Sequence, residues 1–487
     1  LSWSDPASAA GSIVVVRESS APGNPPADGT LYNGDLNYGN GDTVGGGFVV
    51  YSGTYPGSLI TVTVPGGEYF VAVYSYSDSA GQPRNYNDHD SPPTGSATAM
   101  PALQLASPFQ DRMVLQRDKP IKVWGNTQPN AAVSVSMNGV SVMNTSDSAG
   151  AWQADLPAAS HGGPYSLSVT SAGETQMVND VLVGDVWFCF GQSNFVYTLN
   201  QMGSWHTSYE NDIIANDNIR CLKITQDAAL TEEETAGMNW LANSTAGTWS
   251  AVPAVFAHQL HSSTGVPVAI IWAAWGSSSI EGWMPQEMTG QFPHFEEMMT
   301  LYQSIGEYRS GTTVATRATN GGYSSNLEMI TDLTTNGWSS NSDDIFIRTR
   351  PNIIYNKMVH PIRNYSISGF LWYQGEANAG SAIDSAQYRF TLPSFITEYR
   401  ERFDQGDLPF LGVQLPSFNQ ANWPLFRESQ DQMETLDNAY AAVTIDTGLA
   451  NNIHPTDKEP IGIRLSRLAR KFALNENIEA LSPRFDT

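Results

Sequence analysis

The sequence is poor in positive charge, in cysteine and in long apolar runs, and each shortage excludes something. Lys and Arg number 24 against 48 Asp and Glu, a formal charge of −24, which argues against a nucleic-acid backbone or an anionic membrane as partner. The two cysteines, Cys189 and Cys221, cannot staple a chain of 487 residues. Both sit in strand-like contexts, so buried thiols are expected, with a single disulfide as the alternative, and neither has the spacing of a metal site. No apolar run approaches the length that spans a bilayer. No leader-like segment stands ahead of Leu1, which opens on the strand-like "LSWSD", and a start trimmed from a longer chain is expected. Richness in Asn, Gly, Ser and Thr with little Lys suits a secreted or periplasmic protein.

What is present is enough apolar (41%) and aromatic (11%) residue to bury a sizeable core, over a length that predicts two to four domains. Residues 1–100 read as short alternating runs between turn clusters, such as "SIVVVRE" and "GGFVVYSG", the pattern of an antiparallel sandwich. The stretch Thr61 to Tyr76 resembles the later strands of a fibronectin type III module. The loop "NGDLNYGNGD" lacks a complete calcium-ligand pattern and is expected to make turns. Residues 101–180 carry a second β pattern, "KPIKVWG", "AAVSVSMNG" and "GPYSLSVTS", with hairpin signals at Asn138-Gly139 and Ala149-Gly150, expected to form a small sandwich or jelly roll.

From residue 181 the pattern changes. Apolar runs such as "VLVGDVWFCF", "VPVAIIWAAWG", "ISGFLWYQG", "LPFLGVQLP" and "AYAAVTID" alternate with helix-like segments, Gln387 to Phe403 and Pro460 to Leu474 among them. Continuous apolar strands between amphipathic helices predict a parallel α/β sheet covered on both faces. The fold class is thus multidomain: two N-terminal all-β modules followed by an α/β domain over 181–487.

In such sheets chemistry collects at the carboxyl ends of strands. "GDVWFCFGQSNF" runs a buried strand into Gly191, Gln192, Ser193 and Asn194. A serine at a strand-to-helix turn is held exposed beside unpaired helix N–H groups, whereas a serine between two amides is otherwise an ordinary helix cap. Three further strand ends add to it. "AAWGSSSIEGWMP" places Gly276, with a bare backbone N–H, after one strand; "FLWYQGEAN" places Gln374, Gly375, Glu376 and Asn378 after another; "NNIHPTDKEPIGIRL" places His454 ahead of the last amphipathic helix.

These segments, with "VLQRDKPIKVWG", "YNKMVHPI" and "FRESQ", resemble the sialate O-acetylesterase family in order and spacing from about Leu103 onward. That family consists of carbohydrate esterases of the SGNH-hydrolase superfamily, whose parallel sheet is flavodoxin-like. The resemblance implies hydrolysis of an acetyl ester on a sugar, without metal or organic cofactor. It makes Ser193 the nucleophile and His454 the base, with an oxyanion hole from the N–H groups of Ser193 and Gly276 and the side-chain amide of Gln374.

The sequence departs from the family ahead of the histidine, where an Asp is usual and Asn451 and Asn452 stand instead. An Asn-supported triad, a Ser–His dyad braced by main chain, and a carboxylate from elsewhere, Asp446 the nearest, all remain open. Candidate substrate contacts are Gln192, Asn194, Trp283, Glu376, Asn378 and Arg427; for Glu376 a buried brace, for Trp283 core packing, and for Arg427 an ion pair with Glu428 are the alternatives. His360 is read as structural, and the polar stretch from about Arg309 to Asp344 as an elaborated surface loop. A rival reading is a glycan-binding protein descended from such an esterase.

Overall fold

The computed structural model describes residues 1, 9–54, 60, 62, 64, 67–78, 84–86, 94–99, 103–229, 231–292 and 351–482. The expected surface loop at 309–344 lies outside the described residues. In the N-terminal region the strand Gly11–Glu18 lies between Gly47–Gly53 and Gly67–Ser77 in a six-stranded antiparallel sheet. Strict alternation sends Ile13, Val15 and Tyr74 to one face and Val14, Val16 and Tyr69 to the other, and each face carries its own apolar cluster. In the Asn33–Asp42 loop the Asp42 carboxylate accepts from Asn33 and Asp35 accepts from Asn37, both turn contacts.

Further on, Ile121–Thr127 pairs with Leu103–Leu105 and Ala151–Leu156 in a three-stranded sheet. Ala132–Met137 and Val140–Thr145 close as a hairpin on Asn138-Gly139, both at positive φ, the geometry that this dipeptide favours.

The expected boundary at residue 180 falls inside one strand. Glu174–Gly191 is continuous over 18 residues. Its first part pairs antiparallel with Gly162–Ser171, and its second part pairs parallel with Val268–Ala274 and Gly369–Tyr373. Burial records the switch: exposure comes and goes from Glu174 to Asp180, then every residue from Leu182 to Gly191 is buried. An antiparallel strand with one wet face becomes a parallel strand covered on both, so one 11-stranded sheet runs through both regions.

In the parallel part, the long strand is flanked by Val268–Ala274 on one side and by Gly369–Tyr373, Phe410–Val413 and Ala439–Ala442 in succession on the other. Ile219–Ile224 lies parallel beyond Val268–Ala274, so these six parallel strands counted in chain order stand 2-3-1-4-5-6, with Met238–Trp240 antiparallel on the outer edge; the flavodoxin-like order 2-1-3-4-5 is what remains when Ile219–Ile224 is set aside. The helix Ala382–Phe403 starts where Ser381 caps the N–H groups of Ile383 and Asp384, and it buries Tyr388, Leu392, Phe395, Ile396, Tyr399 and Phe403, one helical face. Phe190 packs on that face, 5.0 Å from Tyr399, and against Trp372 at 4.6 Å. Truncating such a ring costs about 3–5 kcal/mol, so the strand end below the serine rests on a rigid aromatic layer. Cys189 and Cys221 are free and buried, and burial pushes both thiols up.

Candidate active site

Strand register brings the distant motifs together. Gly191 is level with Ala274 on one side and Tyr373 on the other, so the loops beginning at Gln192, Trp275 and Gln374 leave the sheet side by side. At Gly191 φ is +148°, and a Cβ would lie 2.1 Å from the Tyr373 carbonyl oxygen, so only glycine fits. Ser193 then opens the short helix Ser193–Val196. A Cβ on Gly276 would stand 3.7 Å from Ser193 Cβ, so the main chain at 276 runs alongside the serine.

His454 lies in the loop ahead of the helix Glu459–Phe472, and its Nε2 is 2.8 Å from Ser193 Oγ. To accept the hydroxyl proton Nε2 must be bare, which places the ring proton on Nδ1. Burial first, and the charge of Lys458 second, hold the imidazole below its ordinary pKa.

The residues ahead of the histidine act on its main chain. Asn452 Oδ1 accepts from the His454 N–H at 2.9 Å, a local turn bond. Asn451 is exposed, and Asp446 is held by both guanidinium nitrogens of Arg464. Among the described residues no carboxylate hydrogen-bonds His454 Nδ1.

Several candidate contacts turn out to be interior. Gln374 is fully buried; its Nε2 donates to Asn378 Oδ1 at 2.7 Å and Ser278 O at 3.2 Å, and its Oε1 accepts from the Tyr388 hydroxyl at 2.9 Å. With both amide hydrogens engaged it has none for an oxyanion, which corrects that expectation. Asn378 gives Nδ2 to both oxygens of Glu281 and takes the Ile280 N–H on Oδ1. Trp283 is buried, donates to Ser278 Oγ and meets Phe190 and Trp372 edge-on, so it packs the core and does not present a sugar platform. Gln192 is buried with Oε1 accepting from the N–H groups of Gly375 and Ala377, tying two strand-end loops together. Arg427 donates to Gln414 Oε1 at 2.7 Å, so its partner is this amide and not Glu428.

Asn194 and Glu376 form a buried chain behind the serine. Asn194 Nδ2 donates to Glu376 Oε1 and to Ile453 O, and Asn194 Oδ1 accepts from Lys458 Nζ. Glu376 Oε2 is buried with no partner among the described residues. Burial, only partly offset by the Asn194 bond, pushes Glu376 up to about 7, and burial pulls Lys458 down to about 7. Lys458 and Glu281 escape sequence reasoning: one looks like a solvated charge ahead of a helix, the other like a surface residue in a loop, and no periodicity marks either as interior. His360 sits between Glu232 and Glu234, at 3.3 and 3.2 Å.

The family described as carbohydrate esterase, sialic acid-specific acetylesterase, matches residues 334–471. Over 439 residues the chain is 26% identical to the mouse sialate O-acetylesterase, covering 78% of this chain and 75% of the relative. The human sialate O-acetylesterase is 26% identical over 423 residues, 77% of this chain and 72% of the relative. The solved structure of a carbohydrate acetylesterase from Xanthomonas citri superposes with a TM-score of 0.63 at 31% identity, covering 79% of this chain and 78% of that one. The chain belongs to the sialate O-acetylesterase family of carbohydrate esterases. As a member of this esterase family it is a carboxylic-ester hydrolase, and the motifs at Ser193, Gly276, Gln374 and His454 all lie in its parallel-sheet region.

Proposed function

We propose that the chain hydrolyses O-acetyl esters on carbohydrates, with Ser193 as nucleophile and His454 as general base. The observation that carries this is the 2.8 Å hydrogen bond between Ser193 Oγ and His454 Nε2 at the carboxyl end of a buried parallel strand. Ser193 Oγ attacks the acetyl carbonyl carbon as His454 Nε2 takes its proton. The tetrahedral oxyanion is received by the Ser193 N–H and the main chain at Gly276. Collapse releases the sugar alcohol, which takes the proton from His454, and leaves acetyl-Ser193. Water, deprotonated by His454, then releases acetate and restores the serine.

That no carboxylate among the described residues bonds Nδ1 favours the rival reading, a glycan-binding descendant with little turnover, because an imidazolium there gains no charge stabilisation. On the esterase reading the substrate is a small acetylated ester or acetylated sugar in a secreted or periplasmic setting; no helix among the described residues is long and apolar enough to cross a membrane. The regions 1–100 and 101–180 are read as a fibronectin type III-like module and a sandwich module attached to an SGNH domain, their junction bridged by the strand Glu174–Gly191. Release of p-nitrophenol from its acetate ester by wild type and Ser193→Ala, over about pH 5 to 9, decides between the two. Turnover lost in the variant supports the esterase; turnover no greater in wild type than in the variant sinks it for this ester and favours the binding protein.

A further inference from the structure

We propose that Asn194, Lys458 and Glu376 are positioning residues for His454, holding its loop from behind the nucleophile where no acid among the described residues meets the histidine ring. The inference rests on the esterase reading of Ser193 and His454.

Asn194 follows Ser193 directly and is fully buried. Ile453 O can only accept, and the ammonium of Lys458 can only donate, so the amide can sit one way: Nδ2 toward Ile453 and Glu376, Oδ1 toward Lys458. Ile453 immediately precedes His454, and Lys458 stands at the N-cap of the helix Glu459–Phe472. One side chain, joined to the nucleophile by the backbone, therefore grips the histidine loop on both sides of the imidazole. Asn452 adds a third hold on the same main chain. In the usual triad a carboxylate orients the ring; here the ring is oriented by fixing the backbone that carries it.

The electrostatics follow the same groups. Lys458 is fully buried. Facing it are Glu376 and Asp457, which favour its charged form, the rings of Tyr197 at 4.9 Å and Tyr373 at 5.8 Å, and His454. Glu376 in turn faces Lys458, Asn194, Tyr373 and Tyr388. Lys458 as a cation disfavours the imidazolium, so it lowers the histidine's basicity where a triad acid would raise it. The cluster trades imidazolium stabilisation for a base that stays neutral in mild acid.

The test reads His454 directly. The ring is titrated by NMR in isotopically labelled wild type, Lys458→Met and Asn194→Asp, with His454→Ala assigning the signal, and kcat, KM and pH profiles are taken on p-nitrophenyl acetate. Lys458→Met should move the ring's titration upward and shift the acid limb of kcat/KM with it. Asn194→Asp keeps an acceptor for Lys458 but cannot donate to Ile453 O; it should lower kcat by about 100-fold with little change in KM, the cost of a misplaced base. Where Lys458→Met alone unfolds, Lys458→Met with Glu376→Gln removes both buried charges and should retain stability, with the titration still displaced. A ring titrating unchanged in both Lys458 variants, or wild-type kcat in Asn194→Asp, overturns the proposal. An inactive wild type whose ring still moves in Lys458→Met overturns the esterase reading and leaves the coupling of Lys458 to His454 standing.

Discussion

At the end of the strand Glu174–Gly191, Ser193 and His454 share one hydrogen bond and leave a lone pair, a ring N–H and a half-open face for something else. At the end of the neighbouring strand Gly369–Tyr373, Gln374 spends its amide hydrogens on Ser278 O and Asn378 Oδ1, Asn378 spends its own on Glu281, and the Tyr388 hydroxyl donates to the Gln374 oxygen. Both groups come from family motifs; Ser193 stands two residues beyond one buried strand and Gln374 one residue beyond its neighbour, and the register sets Gly191 level with Tyr373. What separates them is saturation. A group that has to meet a transient charge must have hydrogen-bonding capacity left over, whereas a group that has closed all its bonds in the interior fixes the scaffold and costs a great deal to remove.

The sharpest way to test this contrast is to truncate one residue from each group. His454→Ala removes the base from the open pair and should cut kcat by about 10⁴- to 10⁶-fold, with a thermal midpoint close to wild type because the ring is only half-buried. A drop of less than tenfold would mean that another group carries the proton. Gln374→Ala acts on the closed cluster and should do the reverse. It strands the Ser278 carbonyl, the Tyr388 hydroxyl and Asn378 in the core, costing about 2–4 kcal/mol of stability by denaturant unfolding. Turnover per folded molecule should stay within about tenfold of wild type, well short of the 10²–10³-fold loss that removing an oxyanion donor brings. A stable Gln374→Ala protein with a hundredfold lower kcat would return Gln374 to the oxyanion hole.

The same distinction separates what the sequence discloses from what it hides. The strands ending at Gly191, Ala274 and Tyr373 are legible because parallel strands covered on both faces are continuously apolar, and the helices Ala382–Phe403 and Glu459–Phe472 because their buried residues recur at helical spacing. Ser193 and His454 are legible from motif and position. The junction at 180 is not, because a strand that changes partners partway keeps an unbroken backbone and shows only a gradual loss of alternation. Nor are the bonds of Gln374, Gln192 and Asn378, since an amide has the same letter whether it faces a substrate or a carboxylate. Lys458 is the extreme case: hydropathy places a lysine in water, and only the tertiary fold surrounds it with Asn194 and two tyrosine rings.

Smaller effects sharpen the description of the open pair itself. Asn452→Ala removes one turn bond to the His454 N–H, worth about 1 kcal/mol, and should slow turnover only a few-fold. Asn452→Asp keeps that acceptor and should behave like wild type in kcat, because the side chain at 452 addresses the main chain and not Nδ1. A rise of tenfold or more in Asn452→Asp would show the new carboxylate reaching the ring and a conventional triad forming.

The smallest effect is in the pH profile, and its sign follows from which form of the histidine works. In the proposed mechanism neutral His454 is the active base, and burial with the nearby Lys458 charge holds its pKa below the ordinary 6.5. Lowering the pKa of a base that must be unprotonated extends activity toward acid, so the acid limb of kcat/KM should fall off below pH 6.5 and not at or above it. A triad acid would displace the limb the other way, since a neighbouring carboxylate favours the imidazolium. The position of that limb therefore reads the sign of the net charge around the ring: a limb above 6.5 would require a carboxylate to face His454 in solution, and one below it is what a dyad backed by a buried lysine produces.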